Sequence, residues 1–480
     1  MVRVAKRLTL VVGLGVSGRA ICRHLSRLNV PYMVADTRTE PPGLDDFRSA
    51  HPGIAIHCGS LTSLDLSDVE EVVISPGLDP RMPGLAALAD QLNPRTGEPR
   101  VVGEIALFVR ATNTPIAAIT GSNAKSTVTT LLGEMAAAAG VNAAVGGNLG
   151  TPALDLLASH PDAALYILEL SSFQLEMTPH LNARCAAFLN LSEDHLDRHG
   201  DMHGYRAAKQ RIFIGARHAV VNADDSSTWP DYPVEQVDYF SHRAPEAGEW
   251  GLALHQDKLT LMQGAQPWLA IDALKITGQH NYVNALAALA MGEALGFAAA
   301  SMCVALRDFK GLAHRSEVIA CINGVTWVND TKGTNVGATL AAINGIGATL
   351  KGRLILLAGG VGKGADFAPL AKPLTACARH VLLFGLDASR IAAALHGQVV
   401  TQQVDDLTQA MQVASELAQP GDCVLLSPAC ASLDQFANYQ ERGEVFRRWV
   451  QDKAQSVAGG SVMSRLQRLR NKLTTRDLPL

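Results

Sequence analysis

The sequence has little of what marks several common classes of protein. Aromatic residues make up 5% and charged residues 18% of its 480 positions, and the formal net charge is only −4. Such a chain lacks the global cationic field with which nucleic-acid-binding proteins hold a polyanion. Its eight cysteines form no CxxC pair. Their pattern argues against a zinc site or a disulfide framework and favours buried free thiols in a reducing compartment.

Long apolar runs are also missing. The longest, residues 285–300, is interrupted by Gly292, Glu293 and Gly296 and falls short of the ~20 residues that a membrane span needs. The basic residues near the start precede a short apolar run that ends in a glycine loop instead of a small-residue cleavage site. We therefore predict a cytoplasmic protein with no stable membrane insertion and no nucleic-acid partner.

What the sequence does contain is a repeated order of elements: a short apolar run, a glycine-rich or polar turn, and an amphipathic helix. This alternation is typical of parallel sheets with crossover helices, and the length allows about three domains. We predict an α/β protein with a Rossmann-like N-terminal domain at 1–100, a P-loop domain with a mostly parallel sheet at 101–311, and a Rossmann-like C-terminal domain at 312–455. Residues 456–480 are predicted to form a flexible basic tail, either solvated or in weak contact with an anionic surface or a partner.

A glycine-rich loop follows the first apolar run. Gly13, Gly15 and Gly18 make a G-x-G-x-x-G between a predicted strand and a predicted helix, and Asp36 ends the next strand. Such glycines let the N-terminus of the helix approach a diphosphate, while the acid can accept hydrogen bonds from a sugar or a base. By itself the loop fits a nicotinamide dinucleotide site, or a structural tight turn that needs glycine for the same steric reasons.

The second domain begins with a strand, a turn and a helix that starts at Lys125, Ser126 and Thr127. Backbone amides of the turn could face phosphates, with Lys125 neutralising them and a hydroxyl of the next two residues holding Mg²⁺. The standard P-loop pattern has glycine where this chain has Ile119 and Ala124. If position 124 needs a positive φ, alanine costs about 1–2 kcal/mol there. A plain strand–turn–helix therefore stays an alternative.

Acidic, imidazole and lysine side chains follow other apolar strands. Glu169 closes one strand, and Asp194 and His195 follow another, so that a carboxylate and an imidazole could complete an octahedral magnesium shell. Lys209 lies on a predicted helix, and the pattern alone favours a solvated helix face for it. Three loops of the third domain combine lysine, glycine and hydroxyl residues, which suits an anionic ligand: 329–335, 359–364 and 427–432.

The motifs, in this order, resemble those of bacterial Mur ligases. They are TGSNAKST (120–127), GGNLGTPAL (146–154), LELSSFQLE (168–176), LNLSEDHLDRH (189–199), YRAAKQRI (205–212), GQHNYVNALAALA (278–290), AHRSE (313–317), NDTKGTN (329–335), GGVGKGADF (359–367) and SPACASLDQF (427–436). The resemblance covers about residues 8–450, and LELSSFQLE, SPACASLDQF, GLGVSG and ADTR favour the D-glutamate-adding branch. It implies an ATP-dependent acid–amino-acid ligase that joins D-glutamate to UDP-N-acetylmuramoyl-L-alanine through an acyl phosphate, in the cytoplasmic stage of peptidoglycan synthesis.

The same resemblance implies which residues contact each substrate. The implied ATP contacts are Gly121, Ser122, Asn123, Ala124, Lys125, Ser126, Thr127, Asn284, Arg315, Asp330 and Lys332. The implied contacts to the UDP-sugar are Val16, Ser17, Asp36, Thr37, Arg38, Gly77 and Asn148. The implied glutamate contacts are Lys332, Thr334, Lys363, Ser432 and Tyr439. On this reading the first glycine loop holds a UDP-sugar instead of a nicotinamide cofactor.

Catalysis and metal binding are implied for a smaller set. The catalytic residues are Lys125, Asn148, His195 and Lys209. The ligands of two Mg²⁺ ions are Ser126, Glu169, His195 and Lys209, the last as a carbamate (N6-carboxylysine). The chain is expected to act as a monomer on small molecules, with ATP as co-substrate. Ala124, Val361 and the AHRSE motif depart from the common family pattern, which puts the affinity in question more than the activity.

The residues alone leave rival functions open. A ligase for L-glutamate or another amino acid would share these motifs, because the stereochemical choice depends on side-chain placement in the third domain. A nicotinamide-dependent oxidoreductase explains only the first glycine loop. A non-catalytic scaffold explains Ala124 and the basic tail, but not the presence of Lys125, Glu169 and Lys363.

Overall fold

The structure, a computed structural model, describes residues 8–347 and 350–474, with side chains described as far as 457. Its strands form three α/β sheets that are mostly parallel, so the predicted fold class is confirmed. The chain divides into two compact units: the first holds residues up to 191, 198–275 and 281–309, and the second holds 192–197, 276–280 and residues from 310 onward.

The first sheet has five parallel strands. They are β1 (Leu8–Val12), β2 (Tyr32–Asp36), β3 (Ile56–Cys58), β4 (Val69–Ile74) and β5 (Val101–Gly103), in the order β3-β2-β1-β4-β5. The helices of this part are α1 (Val16–Arg27), α2 (Leu44–Ala50), α3 (Ala86–Ala89) and α4 (Glu104–Ala111). Successive residues of β1 face opposite sides of the sheet, and Leu10 and Val11 belong to two different buried clusters.

The second sheet has nine strands. They are β6 (Ile116–Thr120), β7 (Ala143–Gly147), β8 (Leu165–Glu169), β9 (Cys185–Phe188), β10 (His218–Asn222), β11 (Gln236–Phe240), β12 (Trp250–His255), β13 (Lys258–Gln263) and β14 (Gln266–Ala270), in the order β14-β13-β12-β11-β10-β9-β6-β8-β7. The strands from β6 to β11 are parallel, whereas β12, β13 and β14 form an antiparallel meander. The two neighbours of β6 are β8 and β9, so the three strands bring their carboxyl ends to one edge.

Helices of the second sheet follow most of its parallel strands. They are α5 (Lys125–Ala138), α6 (Ala153–Ser159), α7 (Ser172–Glu176), α8 (Leu196–His199), α9 (Met202–Gln210), α10 (Gln279–Ala294) and α11 (Ala299–Asp308). Single-turn 3₁₀ helices lie at Leu61–Ser63, Arg211–Phe213, Ser226–Thr228, Ile271–Ala273 and Ala368–Leu370.

The third sheet has six strands. They are β15 (Glu317–Ile322), β16 (Val325–Asn329), β17 (Leu354–Gly359), β18 (Ala378–Phe384), β19 (Thr401–Gln403) and β20 (Cys423–Leu426), in the order β15-β16-β20-β17-β18-β19. Only β15 is antiparallel to its neighbour. The helices are α12 (Val336–Gly347), α13 (Ala371–Cys377), α14 (Ala388–Ala394), α15 (Leu407–Leu417) and α16 (Tyr439–Thr474).

Several expectations about the chain as a whole can now be compared with its fold. All eight cysteines lie in the described part of the chain and are free, but Cys321 is exposed. The expectation of buried thiols is wrong for Cys321, because β15 is an edge strand with one face towards solvent. Over the described residues, no helix is long and apolar enough to cross a membrane.

The domain limits stay predictions. The first sheet includes β5, just beyond the predicted limit at residue 100. The backbone of α16 continues through the predicted basic tail to Thr474. Side chains from 458 onward and residues 475–480 lie outside the described part of the chain, so the flexible tail is not tested.

Candidate active site

A cavity of about 430 Å³ opens at the carboxyl ends of β1, β2 and β4. The predicted UDP-sugar contacts that line it are Val16, Ser17, Asp36, Thr37, Arg38 and Gly77. These residues meet because the three strands are parallel neighbours. Sequence reasoning missed Ser75, whose hydroxyl donates a hydrogen bond to the carbonyl oxygen of Gly13 at 3.2 Å. Its position directly after an apolar strand was the available signal.

Asp36 stabilises the wall of this cavity through hydrogen bonds. Its Oδ2 accepts from the amide of Leu14 and from Nη2 of Arg38, both at 2.7 Å. Its Oδ1 accepts from the amide and Nε of Arg38 at 3.0 and 2.8 Å. Burial raises the pKa of Asp36, but the Arg38 guanidinium and the two amides lower it further, so the net pKa lies below the usual value. The ionised carboxylate therefore braces the glycine loop and orients Arg38.

The turn between β6 and α5 is fixed by two side chains. Nζ of Lys125 donates to the carbonyl oxygens of Gly121 and Ser122 at 2.8 and 3.0 Å. Asn190, which follows β9, accepts from the amide of Asn123 at 2.8 Å and donates to its carbonyl oxygen at 3.2 Å. Sequence reasoning did not single out Asn190, although its place in the LNLSEDHLDRH motif was a signal.

The residue that precedes helix α5 has a strained backbone conformation. Ala124 has φ 68° and ψ −10°, in the left-handed region. That conformation costs a residue with a Cβ roughly 1–2 kcal/mol. Ser126 and Thr127 follow in the first turn and are each 6% exposed. The backbone of this turn therefore adopts the left-handed conformation that glycine would favour, although the Cβ of Ala124 makes it less stable.

Lys209 is buried. On α9 it is 1% exposed, and its Nζ donates to the carbonyl oxygen of Gly121 at 2.8 Å. The same Nζ lies 3.4 Å from Oγ1 of Thr120 and 4.7 Å from the centre of the Tyr205 ring. The expectation of a solvated helix face is therefore wrong, because this face of α9 packs onto the turn after β6.

Glu169 and Asn148 lie together at the ends of β8 and β7. Glu169 is 3% exposed, and its Oε1 accepts from Nδ2 of Asn148 at 2.8 Å. The backbone amide of Asn148 also donates to the carbonyl oxygen of Glu169 at 2.8 Å. Gly147 permits this approach, since it has φ 95° and a Cβ there would lie 2.5 Å from that carbonyl oxygen. The predicted metal ligand and the predicted substrate contact are thus in direct contact.

A histidine that the sequence pattern did not assign lies near Lys209. Nε2 of His199 is 3.0 Å from the hydroxyl of Ser172, and its ring centre is 5.3 Å from that of Tyr205. Burial lowers the pKa of His199, and the charges of Arg198 and Lys209 lower it further against the opposing effect of Glu176. His199 is therefore a neutral imidazole at neutral pH.

In the second unit, Asp330 is enclosed at the end of β16. Its Oδ2 accepts from the hydroxyl of Ser427 at 2.7 Å, and its Oδ1 accepts from the amide of Ser316 at 2.9 Å. Burial raises the pKa of Asp330 to about 6, although these hydrogen bonds and the charge of Arg315 act in the opposite direction. Two predicted ATP contacts, Arg315 and Asp330, therefore interact electrostatically. Two predicted ATP contacts outside the turn remain: Asn284 lies half-buried on α10 of the first unit, and Lys332 lies in the loop after β16.

Lys332 packs against the first residue of α16. Its Nζ lies 3.9 Å from the centre of the Tyr439 ring, a cation–π distance. Its amide donates to the carbonyl oxygen of His314 at 3.2 Å, and its carbonyl oxygen accepts from the amide of Thr334 at 2.8 Å. Three predicted glutamate contacts, Lys332, Thr334 and Tyr439, are thus brought together.

A buried arginine supports the same loops. Arg442 on α16 is 0% exposed and donates to Oγ1 and to the carbonyl oxygen of Thr331, both at 2.9 Å. It also donates to the carbonyl oxygen of Cys430 at 3.2 Å, two residues before the buried Ser432. Sequence reasoning missed Arg442, because its contacts with Thr331 and Cys430 arise only when the chain folds and the sequence pattern around it does not indicate them.

One carboxylate lies close to two of the predicted site residues. Oδ1 of Asp194 is 3.0 Å from Nζ of Lys363, and Oδ2 lies 3.6 Å from Nε2 of His195. Nδ2 of Asn335 donates to Oδ2 at 3.3 Å. Burial raises the pKa of Asp194, but the charges of His195 and Lys363 outweigh it and the net pKa is lowered. The sequence pattern offered Asp194 as a possible magnesium ligand, whereas the family resemblance assigned it no contact.

The donor atoms after β6 and β8 suit a magnesium ion. Ser126 offers a hydroxyl and Glu169 a carboxylate, both hard oxygen ligands, and both are nearly buried at neighbouring strands. Within the described ranges, no group of three or more histidine, cysteine, aspartate or glutamate side chains could by itself hold a metal ion. Mg²⁺ commonly binds through one or two protein ligands plus phosphate oxygens and water. The residues therefore fit Mg²⁺ bound together with a nucleotide.

Three family models match most of this chain, one in the region of each sheet. The Mur ligase MurD-like N-terminal domain matches residues 7–94, the Mur ligase middle domain 119–292, and the Mur ligase glutamate ligase domain 314–430. Proteins named UDP-N-acetylmuramoylalanine--D-glutamate ligase are similar: that of Chromohalobacter salexigens is 62% identical, covering 94% of this chain and 98% of the relative. That of Pseudomonas aeruginosa is 49% identical, covering 93% and 98%.

Solved structures show the same fold at low identity. MurF ligase from Thermotoga maritima in complex with ADP gives a TM-score of 0.58 at 16% identity, covering 95% of this chain and 100% of that one. UDP-N-acetylmuramate-alanine ligase MurC from the same organism gives 0.57 at 17%, covering 93% and 99%. Together with this fold, the family models and the named relatives define an ATP-dependent amide ligase. The chain belongs to the Mur ligase family.

Proposed function

We propose that this chain joins D-glutamate to UDP-N-acetylmuramoyl-L-alanine, with ATP as co-substrate, in the cytoplasmic stage of peptidoglycan synthesis. The observation that carries the proposal is the 62% identity, over 94% of the chain, to a relative named for this reaction. The cavity lined by Val16, Asp36 and Arg38 supports it, because it offers backbone amides and a cation where a UDP group would lie. The chain is proposed to act as a monomer on these small molecules, with the basic tail as a weak contact at most.

The turn after β6 is the proposed ATP site. The backbone from Gly121 to Ala124 leads into the N-terminus of α5, which favours negative charge. Lys125 would exchange its bonds to two carbonyl oxygens for the β- and γ-phosphates. Asn284, Arg315, Asp330 and Lys332 are proposed as further contacts to the nucleotide.

Two magnesium ions are proposed. Ser126 and Glu169 would hold one and His195 the other, with a carbamate on Lys209 as a further metal ligand. When bound, such ions neutralise charge that develops on the transferring phosphoryl group. Asn148, which donates to Glu169, would orient that carboxylate and lie beside the activated carbonyl of the substrate.

The carbamate on Lys209 has a physical basis in the burial of its amine. Burying an ammonium away from water is costly, and the neutral amine can form a bond with carbon dioxide, releasing one proton and leaving a carboxylate on Nζ. The 1% exposure of Lys209 and its contact with the turn after β6 support this modification. The product would be a hard anionic ligand beside the proposed phosphate site.

The proposed reaction has two steps. The terminal carboxylate of the UDP-sugar attacks the γ-phosphorus of ATP, which gives an acyl phosphate and ADP. The neutral amine of glutamate then attacks the acyl carbon, and phosphate and a proton leave. Lys125 stabilises negative charge in the first step, while Lys332, Thr334, Lys363, Ser432 and Tyr439 are proposed to orient the glutamate. Phosphate release that requires both the UDP-substrate and D-glutamate tests this function, and activity with L-glutamate instead would favour the alternative ligase.

A further inference from the structure

Asp387 is a half-buried carboxylate that has no role in the site proposed above. It lies directly before α14, in the loop after β18, and its side chain is 15% exposed. An aspartate at this position commonly accepts from an amide of its own helix, but over the described residues this carboxylate has no such bond. Its Oδ2 accepts instead from the amide of Gly362 at 2.7 Å. The side chain therefore supports the loop after β17, the parallel strand next to β18.

Arg390 on α14 supports the other end of the same segment. Its Nη1 donates to Oδ1 of Asp387 at 3.2 Å, and its Nη2 donates to the carbonyl oxygen of Ala365 at 3.1 Å. Its guanidinium carbon lies 5.6 Å from the centre of the Phe367 ring, a cation–π distance. Asp387 and Arg390 thus bind the two ends of the turn from Gly362 to Ala365.

This turn places a lysine in an unfavourable backbone conformation. The amide of Ala365 donates to the carbonyl oxygen of Gly362 at 2.9 Å, which closes the turn around Lys363 and Gly364. Their φ values are 51° and 79°, so both central residues have positive φ, as in a type I′ turn. A residue with a Cβ keeps such a conformation only where its surroundings fix it. The conformation of Lys363 therefore depends on the contacts made at both ends of the turn.

A reciprocal pair of hydrogen bonds holds the opposite side of this loop. The amide of Val361 donates to the carbonyl oxygen of Ala431, and the amide of Ala431 donates to that of Val361, both at 2.9 Å. Ala431 directly precedes Ser432, which is 3% exposed. Because the loop is bonded to Ala431 on one side and to Asp387 on the other, the backbones of Lys363 and Ser432 are held in one arrangement.

We propose that Asp387 is a positioning residue for glutamate, whose carboxylate fixes the backbone of the 362–365 turn and thereby the direction of the Lys363 side chain. This inference rests on the proposed function, because it takes Lys363 and Ser432 as glutamate contacts. Asp387 acts through the amide of Gly362 and through Arg390.

The first test compares the KM values of the three substrates in variants of the full chain. Asp387→Ala leaves the amide of Gly362 without its acceptor, so we expect the KM for D-glutamate to rise about tenfold. The KM values for ATP and the UDP-substrate should stay within about twofold of wild type, since other loops are proposed to bind them. Asp387→Asn keeps an oxygen that can accept from Gly362, so its KM for D-glutamate should stay within about threefold.

The matched control is Asp406→Ala. Asp406 occupies the same position before α15 in the same unit, but its Oδ1 accepts from the amide of Gln409 in its own helix at 2.8 Å. We expect this variant to lose stability, as a helix without its cap does, while its KM for D-glutamate stays within about twofold of wild type. An equal rise of this KM in Asp387→Ala and Asp406→Ala would overturn the proposal, as would an unchanged KM in a folded Asp387→Ala variant.

Hydrogen exchange of the 360–366 segment, measured by mass spectrometry without substrates, separates the two claims. We expect faster exchange in Asp387→Ala than in the wild type, and no change in Asp406→Ala. A wild type that releases no phosphate with ATP, D-glutamate and the UDP-substrate contradicts the proposed function itself. A wild type that does so, beside an Asp387→Ala variant with unchanged exchange, contradicts the role of Asp387 alone.

Arg390→Ala keeps the test decisive if thermal unfolding shows that Asp387→Ala does not fold. The side chain of Arg390 is 49% exposed, so its removal should leave the fold intact. We expect its KM for D-glutamate to rise about threefold, with the KM for ATP unchanged. An unchanged KM for D-glutamate in this variant would then contradict the proposal.

Discussion

At the scale of single residues, Ala124 is the clearest departure from the usual sequence of a phosphate-binding turn. It holds φ 68° without the freedom of glycine. We expect Ala124→Gly to raise the free energy of unfolding by about 0.5–1 kcal/mol, because relief of strain exceeds the entropy that glycine adds to the unfolded chain. Urea unfolding measures this. Ala137→Gly, at an exposed position in the last turn of α5, should instead lower the free energy of unfolding, by up to about 1 kcal/mol. Equal losses in both variants would show that Ala124 is unstrained.

Lys209 is the residue whose chemistry matters most. We expect Lys209→Ala to lose activity that bicarbonate cannot restore, because the variant has no amine to modify. Short carboxylic acids added to the assay should restore part of it by supplying the missing carboxylate. Lys209→Arg is the matched variant, since it keeps the positive charge but forms no carbamate. Full activity in either variant would refute the carbamate, and mass spectrometry of the intact chain at neutral pH offers an independent readout.

Asp330 makes stability depend on pH. Its pKa is raised to about 6 from 3.8, so the folded chain binds this proton more tightly than the unfolded chain. The stabilisation is fully present at low pH and is lost as the pH rises through 6. Relative to Asp330→Asn, wild-type stability should fall by about 2 kcal/mol between pH 4.5 and 7.5. Urea unfolding of both proteins at the two pH values checks this. If the free energies of unfolding of wild type and Asp330→Asn differ by the same amount at both pH values, the pKa of Asp330 is not raised by burial.

At the scale of elements, the close approach of α1 to the loop after β1 depends on one glycine. A Cβ on Gly18 would lie 1.7 Å from the carbonyl oxygen of Gly13, whereas one on Gly15 would meet nothing within 4 Å. We therefore expect Gly18→Ala to cost roughly 2–3 kcal/mol of stability, and Gly15→Ala to change it by less than about 0.5 kcal/mol. Thermal unfolding of the two variants tests this. Similar stabilities would mean that α1 can shift away from the sheet.

Elements with strong local signals could be predicted from the sequence. The helix after the phosphate-binding turn is α5, and the NYVNALAALA pattern lies in α10. The meander β12–β14 and the edge strand β15 were not anticipated, because no helical pattern directly follows these strands, as one does in the repeated order of strand, turn and helix. Antiparallel edges are specified by pairing between strands, which the pattern of one strand does not reveal.

The site residues also differ in whether the sequence could predict them. Those next to strand ends, such as Glu169 and Asp36, follow from the rule that ligands bind at the carboxyl edge of parallel sheets. The burial of Lys209, the loop contact of Asn190 and the anchoring by Arg442 depend on which helix face meets which loop. These contacts are determined by the tertiary structure, which the sequence pattern does not show. Only the family resemblance indicated a role for Lys209.

At the scale of the whole molecule, a net charge of −4 conceals local cationic groups. Lys125 begins the helix that follows β6 of the second sheet, and Lys332 and Lys363 follow strands of the third. Arg38 serves the first sheet in the same way. Each of these cations lies in the turn after a strand or at the start of the following helix, where a small anion can bind. A ligase of three anionic substrates requires such a distribution.

The central claim is the reaction itself. Phosphate release should be measured with ATP and UDP-N-acetylmuramoyl-L-alanine in the presence, separately, of D-glutamate, L-glutamate, L-alanine, L-lysine and diaminopimelate. The account predicts release with D-glutamate, little with the other four, and none when the UDP-substrate is omitted. Release that is independent of the amino acid, or that is greatest with an amino acid other than D-glutamate, would contradict it.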